Sequence, residues 1–432
     1  MYALKADDMI RNKCAEGIVS SQEYADGSVF CFKGNGYLCE EQNLFAMNNE
    51  LELRWNKIRS CMAEQGADAI LLAGNVDLLY ACGRIVSGYF YLPSEGMPVL
   101  FVKRPSGLSG DNIFYIHKPE QIPGILQERG IKIPKRLMLE GDELSYSAYM
   151  RLSKIFSTSE CLNGTPAIRQ ARSIKTPLEI ELFRQAAAAH AKAYSGISAV
   201  YKEGMTDLQF SAEVERLMRL EGCLGIFRIF GQSMEIFMGS VLTGDNAETP
   251  SPYDFALGGA GLGPALPVGL NGTVMRKGNS VMVDLSGNFN GYMCDMSRVF
   301  SVGKLSEQAY RAHRVCLEVQ DRIAGKAKPG VACEELYDIA IETVTREGVA
   351  DYFMGTKQKA KFVGHGIGLE INESPVLAPR IKQELQPGMV FALEPKIVLP
   401  GIGPVGIENS WVVTENGVEK LTLFPEEIIE LG

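Results

Sequence analysis

The stretches NSVMVDLSGNFNGYMCDMSRVF (residues 279–300) and GMVFALEPKIVLPGIGPVGIENSWVV (residues 388–413) each read as two apolar strands folded back on a turn. In the first, the turn spans Gly287 to Gly291. If Gly287 faces Tyr292, then Asp284 faces Asp295, because paired residue numbers in a regular antiparallel hairpin share one sum. In the second, a turn around Pro400 to Pro404, centred on Gly401, sets Glu394 opposite Glu408. Like charges facing one another on paired strands are destabilising, and carboxylates in the apolar contexts VMVD and FALEP need partners. No opposite charge is read at the facing positions. A bound cation resolves the conflict: these carboxylates suffice for two hard divalent ions, with His365 in KFVGHGIGLE as the nitrogen ligand.

Working outward, each acidic hairpin follows two helices. Thr176, Pro177 and Glu179 form a capping box with proline at the first helical position, and Thr206 with Gln209 repeats the cap before FSAEVERLMRLEG, which Gly222 is placed to end. The second pair is read from Ser306 to about Ala327 and from Ala332 to Gly348. The C-terminal part is therefore helix, helix, hairpin, written twice, each copy supplying one carboxylate pair to a pseudo-twofold site. Upstream, the helical LELRWNKIRSCMAEQG is followed by the strand-like DAILLAG, PVLFVKR and RLMLEG, an α/β pattern that runs to roughly Ile168. Residues 1–46 contain no sustained period and are read as an extension of unknown structure, loosely attached or translated from an incorrect start, with Met47 at the boundary.

Composition narrows the function. The chain has 432 residues and net charge −9, with no Lys/Arg run to serve as a phosphate-backbone stripe, which argues against nucleic-acid binding. No apolar stretch is long enough to span a membrane, and the scattered cysteines point to a reduced cytoplasmic setting. His190 and His313 sit in helical patterns and His117 in a loop, and all three are read as structural. The run GGAGLGP (258–264) lacks the Lys and Ser/Thr of a phosphate loop. Cys294 adjoins Asp295 but alternates to the other face of its strand, so it is not read as a nucleophile.

The order Asp284, Asp295, His365 in GHGIG, Glu394 in LEP and Glu408 in GIEN resembles the M24 metallopeptidase family of methionine aminopeptidases, aminopeptidase P, prolidase and creatinase. The resemblance covers about residues 50–432. It implies an α/β creatinase-like N-terminal domain (47–168) followed by an α+β pita-bread catalytic domain (169–432), often in homodimers. It also implies that Asp284 chelates one ion, Asp295 and Glu408 bridge two, and His365 and Glu394 complete the second, with Glu394 as proton shuttle and His365 beside it in the catalytic set. Manganese, cobalt, iron or zinc would serve, manganese being favoured. The family's substrate-holding histidines are expected at Val268 and Asn372, and its peptidases favour Arg at Gly406 and Asp at Asn409. The expected function is a metal-dependent hydrolase resembling Xaa-Pro aminopeptidases, acting on short peptides. The alternatives are hydrolysis of a non-peptide C–N bond in a small molecule or amide, and a non-enzymatic binding protein.

Overall fold

The computed structural model describes the backbone of residues 20–23, 29–33, 36–37 and 42–432 apart from 232–234, and side chains from Asn49 onward. Strands Ser20–Glu23, Val29–Lys33 and Gly36–Tyr37 form a small antiparallel sheet, and the first helix, Gln42–Glu64, begins ahead of Met47. The rest of the expected extension lies outside the described residues.

The N-terminal domain is built on a mixed six-stranded sheet. Its central strand, Ala69–Leu72, pairs antiparallel with Ser87–Pro93 and parallel with Arg136–Leu139. All four residues of that strand are buried because the sheet is covered on both faces: Ile70 and Leu72 enter one core with Ile58 and Met62, while Ala69 and Leu71 enter another with Leu126 and Leu152. The expected strands in DAILLAG, PVLFVKR and RLMLEG are all present.

The C-terminal domain contains the duplicated unit. Helices Pro177–Ser195 and Asp207–Leu220 precede the hairpin Ser280–Asn288/Met293–Val302, and helices Glu307–Lys326 and Cys333–Arg346 precede the hairpin region 390–413. The caps form as read. Thr176 Oγ1 accepts from Glu179 N at 3.2 Å while Thr176 N donates to Glu179 Oε2 at 2.8 Å, and Thr206 and Gln209 repeat the exchange. On strand Ser280–Asn288, Val281, Val283 and Leu285 pack beneath the first helix pair. Alternation therefore turns Asp284 to the opposite face, toward the second half of the domain. A five-stranded sheet containing Gly364–Gly366, Val390–Leu393 and Asn409–Val413 supplies that second half.

Candidate metal centre

The first hairpin differs from its expected register by two residues. Asp284 pairs with Ser297 and Asp295 with Ser286, the ladder ending at Asn288 and Met293. The turn is wider than read because a side chain closes it: Asn288 Oδ1 accepts from Gly291 N at 2.9 Å, and Gly291 takes φ +104°. A shift of two preserves the face, so Asp284 and Asp295 are diagonal neighbours on one surface. In the second hairpin the register is as read. Leu393 pairs with Asn409 and Lys396 with Gly406, and Glu394 and Glu408 fall in the gap between these two ladder segments. There the strands part: Glu394 N donates to Val363 O at 2.9 Å and Glu408 N to Ser297 O at 3.3 Å. Each carboxylate is thereby tied to an element other than its hairpin partner.

His365 lies on the short strand Gly364–Gly366, opposite Ala392. Its flanking glycines are required by packing, since a Cβ at Gly364 would lie 2.4 Å from Ala392 O and one at Gly366 2.2 Å from Ser374 C. The imidazole Nε2 stands 3.3 Å from Glu394 Oε1, 3.9 Å from Asp295 Oδ2 and 4.0 Å from Glu408 Oε1. Asp284, Asp295, Glu394 and Glu408 are all buried. All five sequence-identified ligands thus converge.

One residue in this cluster was not anticipated. Lys396, wholly buried, places Nζ 2.7 Å from Asp284 Oδ2, 2.5 Å from Glu394 Oε2 and 3.3 Å from Glu408 Oε2. The expectation that no opposite charge faces the carboxylates is therefore corrected. Period-two alternation carries the signal, because residues 394 and 396 share a strand face.

The electrostatics divide the cluster. Burial pushes the Asp295 carboxyl up to about 7, with Asp284 and Glu394 adding to that push against His365 and Lys396. Burial also drives Glu408 well above the usual carboxylate range, reinforced by Asp295 and Glu394. For Glu394, burial is outweighed by Lys396 and His365, so its carboxyl is held down. Burial disfavours protonated His365, but Glu394 and Asp295 prevail and raise it to about 9. Glu408 Oε2 accepts from Ser297 Oγ at 2.6 Å and from Lys396, whereas its Oε1 is buried without a partner among the described residues. Two overlapping groups have ligand atoms close enough for an ion: Asp295, His365 and Glu408, and Asp284, Glu394 and Glu408. The first fits a divalent cation well, offering an imidazole and an orphaned carboxylate oxygen.

The centre opens on a cavity of about 320 Å³ walled by Ile229, Phe230, Tyr253, Phe255, Phe362 and Val376, with Asn372 among its lining residues. Asn372 is pinned to the backbone of Phe230: its Oδ1 accepts from Phe230 N at 2.8 Å and its Nδ2 donates to Phe230 O at 2.9 Å. Arg169 stacks its guanidinium 3.8 Å from the Phe230 ring centre and donates to Asn372 O at 2.6 Å. Val268 is buried, at 2% exposure, and is not among the residues that line this cavity. The irregular segments that supply Phe230 and Phe255 have no periodicity from which a wall residue is readable.

The other histidines and Cys294 are not cavity-lining. His190 is fully buried, its pKa lowered to about 3 chiefly by burial, and His313 accepts from or donates to nothing but Glu426 O, at 2.7 Å. Asn409 is a structural residue: it donates to Gln320 Oε1 and Glu426 Oε1 and accepts from Arg298, which also donates to Glu408 O at 2.8 Å and so fixes the backbone of that ligand.

Residues 181–415 match the metallopeptidase family M24, and residues 54–174 match the creatinase/prolidase N-terminal domain. This chain belongs to metallopeptidase family M24. An M24 assignment makes it a hydrolase with a creatinase-type first domain and a pita-bread second domain. The M24 chain is 29% identical over 383 residues to a Xaa-Pro dipeptidase of Pyrococcus furiosus, with 87% of this chain and 99% of the relative covered. It is 26% identical over 400 residues to an uncharacterized peptidase of Bacillus subtilis, covering 88% of this chain and all of the relative (100%). Among solved structures, the prolidase from Pyrococcus horikoshii OT3 superposes with a TM-score of 0.70 at 26% identity over 87% of this chain and 99% of that one. An X-Pro aminopeptidase from Thermotoga maritima shares the fold, with a TM-score of 0.72 at 24% identity over 86% of this chain and 99% of that one.

Proposed function

We propose that this M24 protein is a metal-dependent hydrolase that releases the N-terminal residue of short peptides of the Xaa-Pro type. The observation that carries the reading is the orphaned Glu408 Oε1, aimed with Asp295 and His365 at one point of an apolar-walled cavity. A buried carboxylate oxygen left unpartnered is costly, and a cation relieves it. Manganese is favoured among manganese, cobalt, iron and zinc, since the donor set is mostly carboxylate with one imidazole. Asp295, His365 and Glu408 would hold a divalent ion, which would supply Lewis acidity to lower the pKa of water and polarise a substrate carbonyl.

The side chains do the rest. Glu394, kept ionised by the Lys396 ammonium beside it, accepts the proton of the attacking water and returns it to the leaving nitrogen, so that one water is consumed and one C–N bond is broken. The walls at Phe230, Phe255 and Phe362 exclude water and suit an apolar ring or side chain. The second proton of the Asn372 amide remains to orient a carbonyl. The described cysteines are all unpaired, and no helix among the described residues is long and apolar enough to cross a membrane. These features support a cytoplasmic protein, and a homodimer is proposed with it. Hydrolysis of a non-peptide C–N bond is the second reading, favoured by a cavity small enough for a compact amide.

The test is product release by manganese-loaded protein against dipeptides, tripeptides and cyclic amides, with and without chelator. Chelator-sensitive release of a free N-terminal amino acid is expected. Release only from cyclic or non-peptide amides would transfer the assignment to the second reading, and no release from any of them would end both.

A further inference from the structure

We infer that this protein holds one divalent ion and that the Lys396 ammonium permanently occupies the place of a second. The inference rests on the metal-hydrolase reading, which it deepens by specifying the cation set of the same site. Asp284, Glu394 and Glu408 are close enough to bind an ion, yet each already offers an oxygen to Lys396 Nζ, at 2.7, 2.5 and 3.3 Å. An ammonium has three N–H donors, and here each has its own carboxylate. A metal ion on the same three oxygens would need bonds of roughly 2.0–2.2 Å, which leaves no room for Nζ between them. The Lys396 side chain is 0% exposed, so its ammonium has no solvent contact to exchange for these three carboxylates.

Lys396 pairs with Gly406 across the hairpin, and a Cβ on Gly406 would lie 2.4 Å from Pro395 O, 2.8 Å from Lys396 Cα and 3.3 Å from its Cγ. The aliphatic stem thus passes over a residue with no side chain. Glu408 shows the division within a single carboxylate. Its Oε2 is used by the protein, through Ser297 Oγ and Lys396 Nζ, while Oε1 is left for an ion. That split makes Glu408 a ligand to one ion and not a bridge between two. Lys396 does not line the cavity, so it is a positioning residue that fixes three carboxylates and neutralises part of their charge.

The experiment is a metal count on the full chain, by elemental analysis after equilibration with excess manganese and gel filtration, together with manganese EPR. Wild type is expected to carry one ion per chain and give an uncoupled six-line spectrum. Lys396→Met and Lys396→Gly, checked for folding by circular dichroism, are expected to carry two ions and give an exchange-coupled signal. Two ions in the wild type would overturn the inference, as would a folded Lys396 variant that still carries one. If neither variant folds, the wild-type count and spectrum decide alone. One ion without peptide or amide release leaves this inference standing and removes the hydrolase reading; two ions with release does the reverse, and no ion overturns both.

Discussion

Replacing Arg172 with Met tests whether a buried ion cluster locks the N-terminal domain to the wall of the catalytic cavity. Arg172 is 3% exposed and donates to Asp77 Oδ1 at 2.9 Å, to Glu370 Oε2 at 2.7 Å and to Glu373 Oε1. After the substitution Glu370 keeps Arg169 at 2.6 Å and Glu373 keeps Lys175 at 3.1 Å, but Asp77 loses its ion-pair partner. An exposed pair would cost at most about 1 kcal/mol. Stranding one buried charge costs about 3–5 kcal/mol, and with the methionine recovering part of the packing we expect a loss near the lower end of that range. The assay is urea unfolding followed by fluorescence. Trp55 lies in the first domain and Trp411 in the second, so the two report on both sides of the contact. Urea slopes run about 1–3 kcal/mol/M for small proteins and rise with size, so for this chain the midpoint should fall by roughly 0.5–1 M. A midpoint within the error of wild type would refute the claim that this cluster carries buried-charge energetics.

Four further outcomes are expected. The Glu373 carboxyl is held down to about 2, because Arg172 and Lys175 overcome its burial; its stabilisation is complete above its ordinary value of 4.5 and disappears as pH falls toward 2. That span corresponds to roughly 3 kcal/mol, so Glu373→Gln should flatten the acid limb of a stability-against-pH curve measured from pH 6 to 2. Asp295→Asn should leave the protein folded, lower bound manganese well below one ion per chain and abolish turnover, as read by elemental analysis and product release. Val268→His should not raise peptidase activity, because position 268 does not line the cavity; it should instead lower the melting temperature, the imidazole being forced into a buried site. Asn372→His, on the cavity wall, breaks the double contact to Phe230 and should change KM for Xaa-Pro peptides.

Most of the architecture is carried by local patterns. The capping boxes at Thr176 and Thr206, the both-sides-apolar run at Ala69–Leu72 and the two acidic hairpins are short-range signals, and each forms in place. The candidate ligand set is legible for a related reason: carboxylates in apolar strands are an energetic contradiction that a cation settles. What escaped was set by side chains acting across the fold. Asn288 closes its turn and moves a register by two, an effect invisible to a rule that counts residues. Lys396 is within reach of strand alternation, but its charge answers acids two residues away and across a sheet, a pairing that no local pattern displays. The cavity walls come from loops around Phe230 and Phe255, whose positions depend on long-range contacts such as the Phe230–Asn372 pair.

The parting of the second hairpin at Glu394 and Glu408 has a consequence for how this chain can change over generations. Both ladder segments, Val390–Leu393 with Asn409–Val413 and Lys396–Leu399 with Gly403–Gly406, keep one common register on either side of the gap. The Pro400–Ile402 tip is itself anchored, Ile402 O accepting from Ser280 N at 3.0 Å and Gly401 N donating to Asp245 Oδ1 at 2.6 Å, so its length is held as well. A single insertion between Leu393 and Lys396 would turn Lys396 to the far face of its strand and strip three acids of their cation at one stroke. Among descendants of this sequence, the tip and above all the arm between the glutamate and the lysine should stay fixed in length, like the span between two teeth of a key.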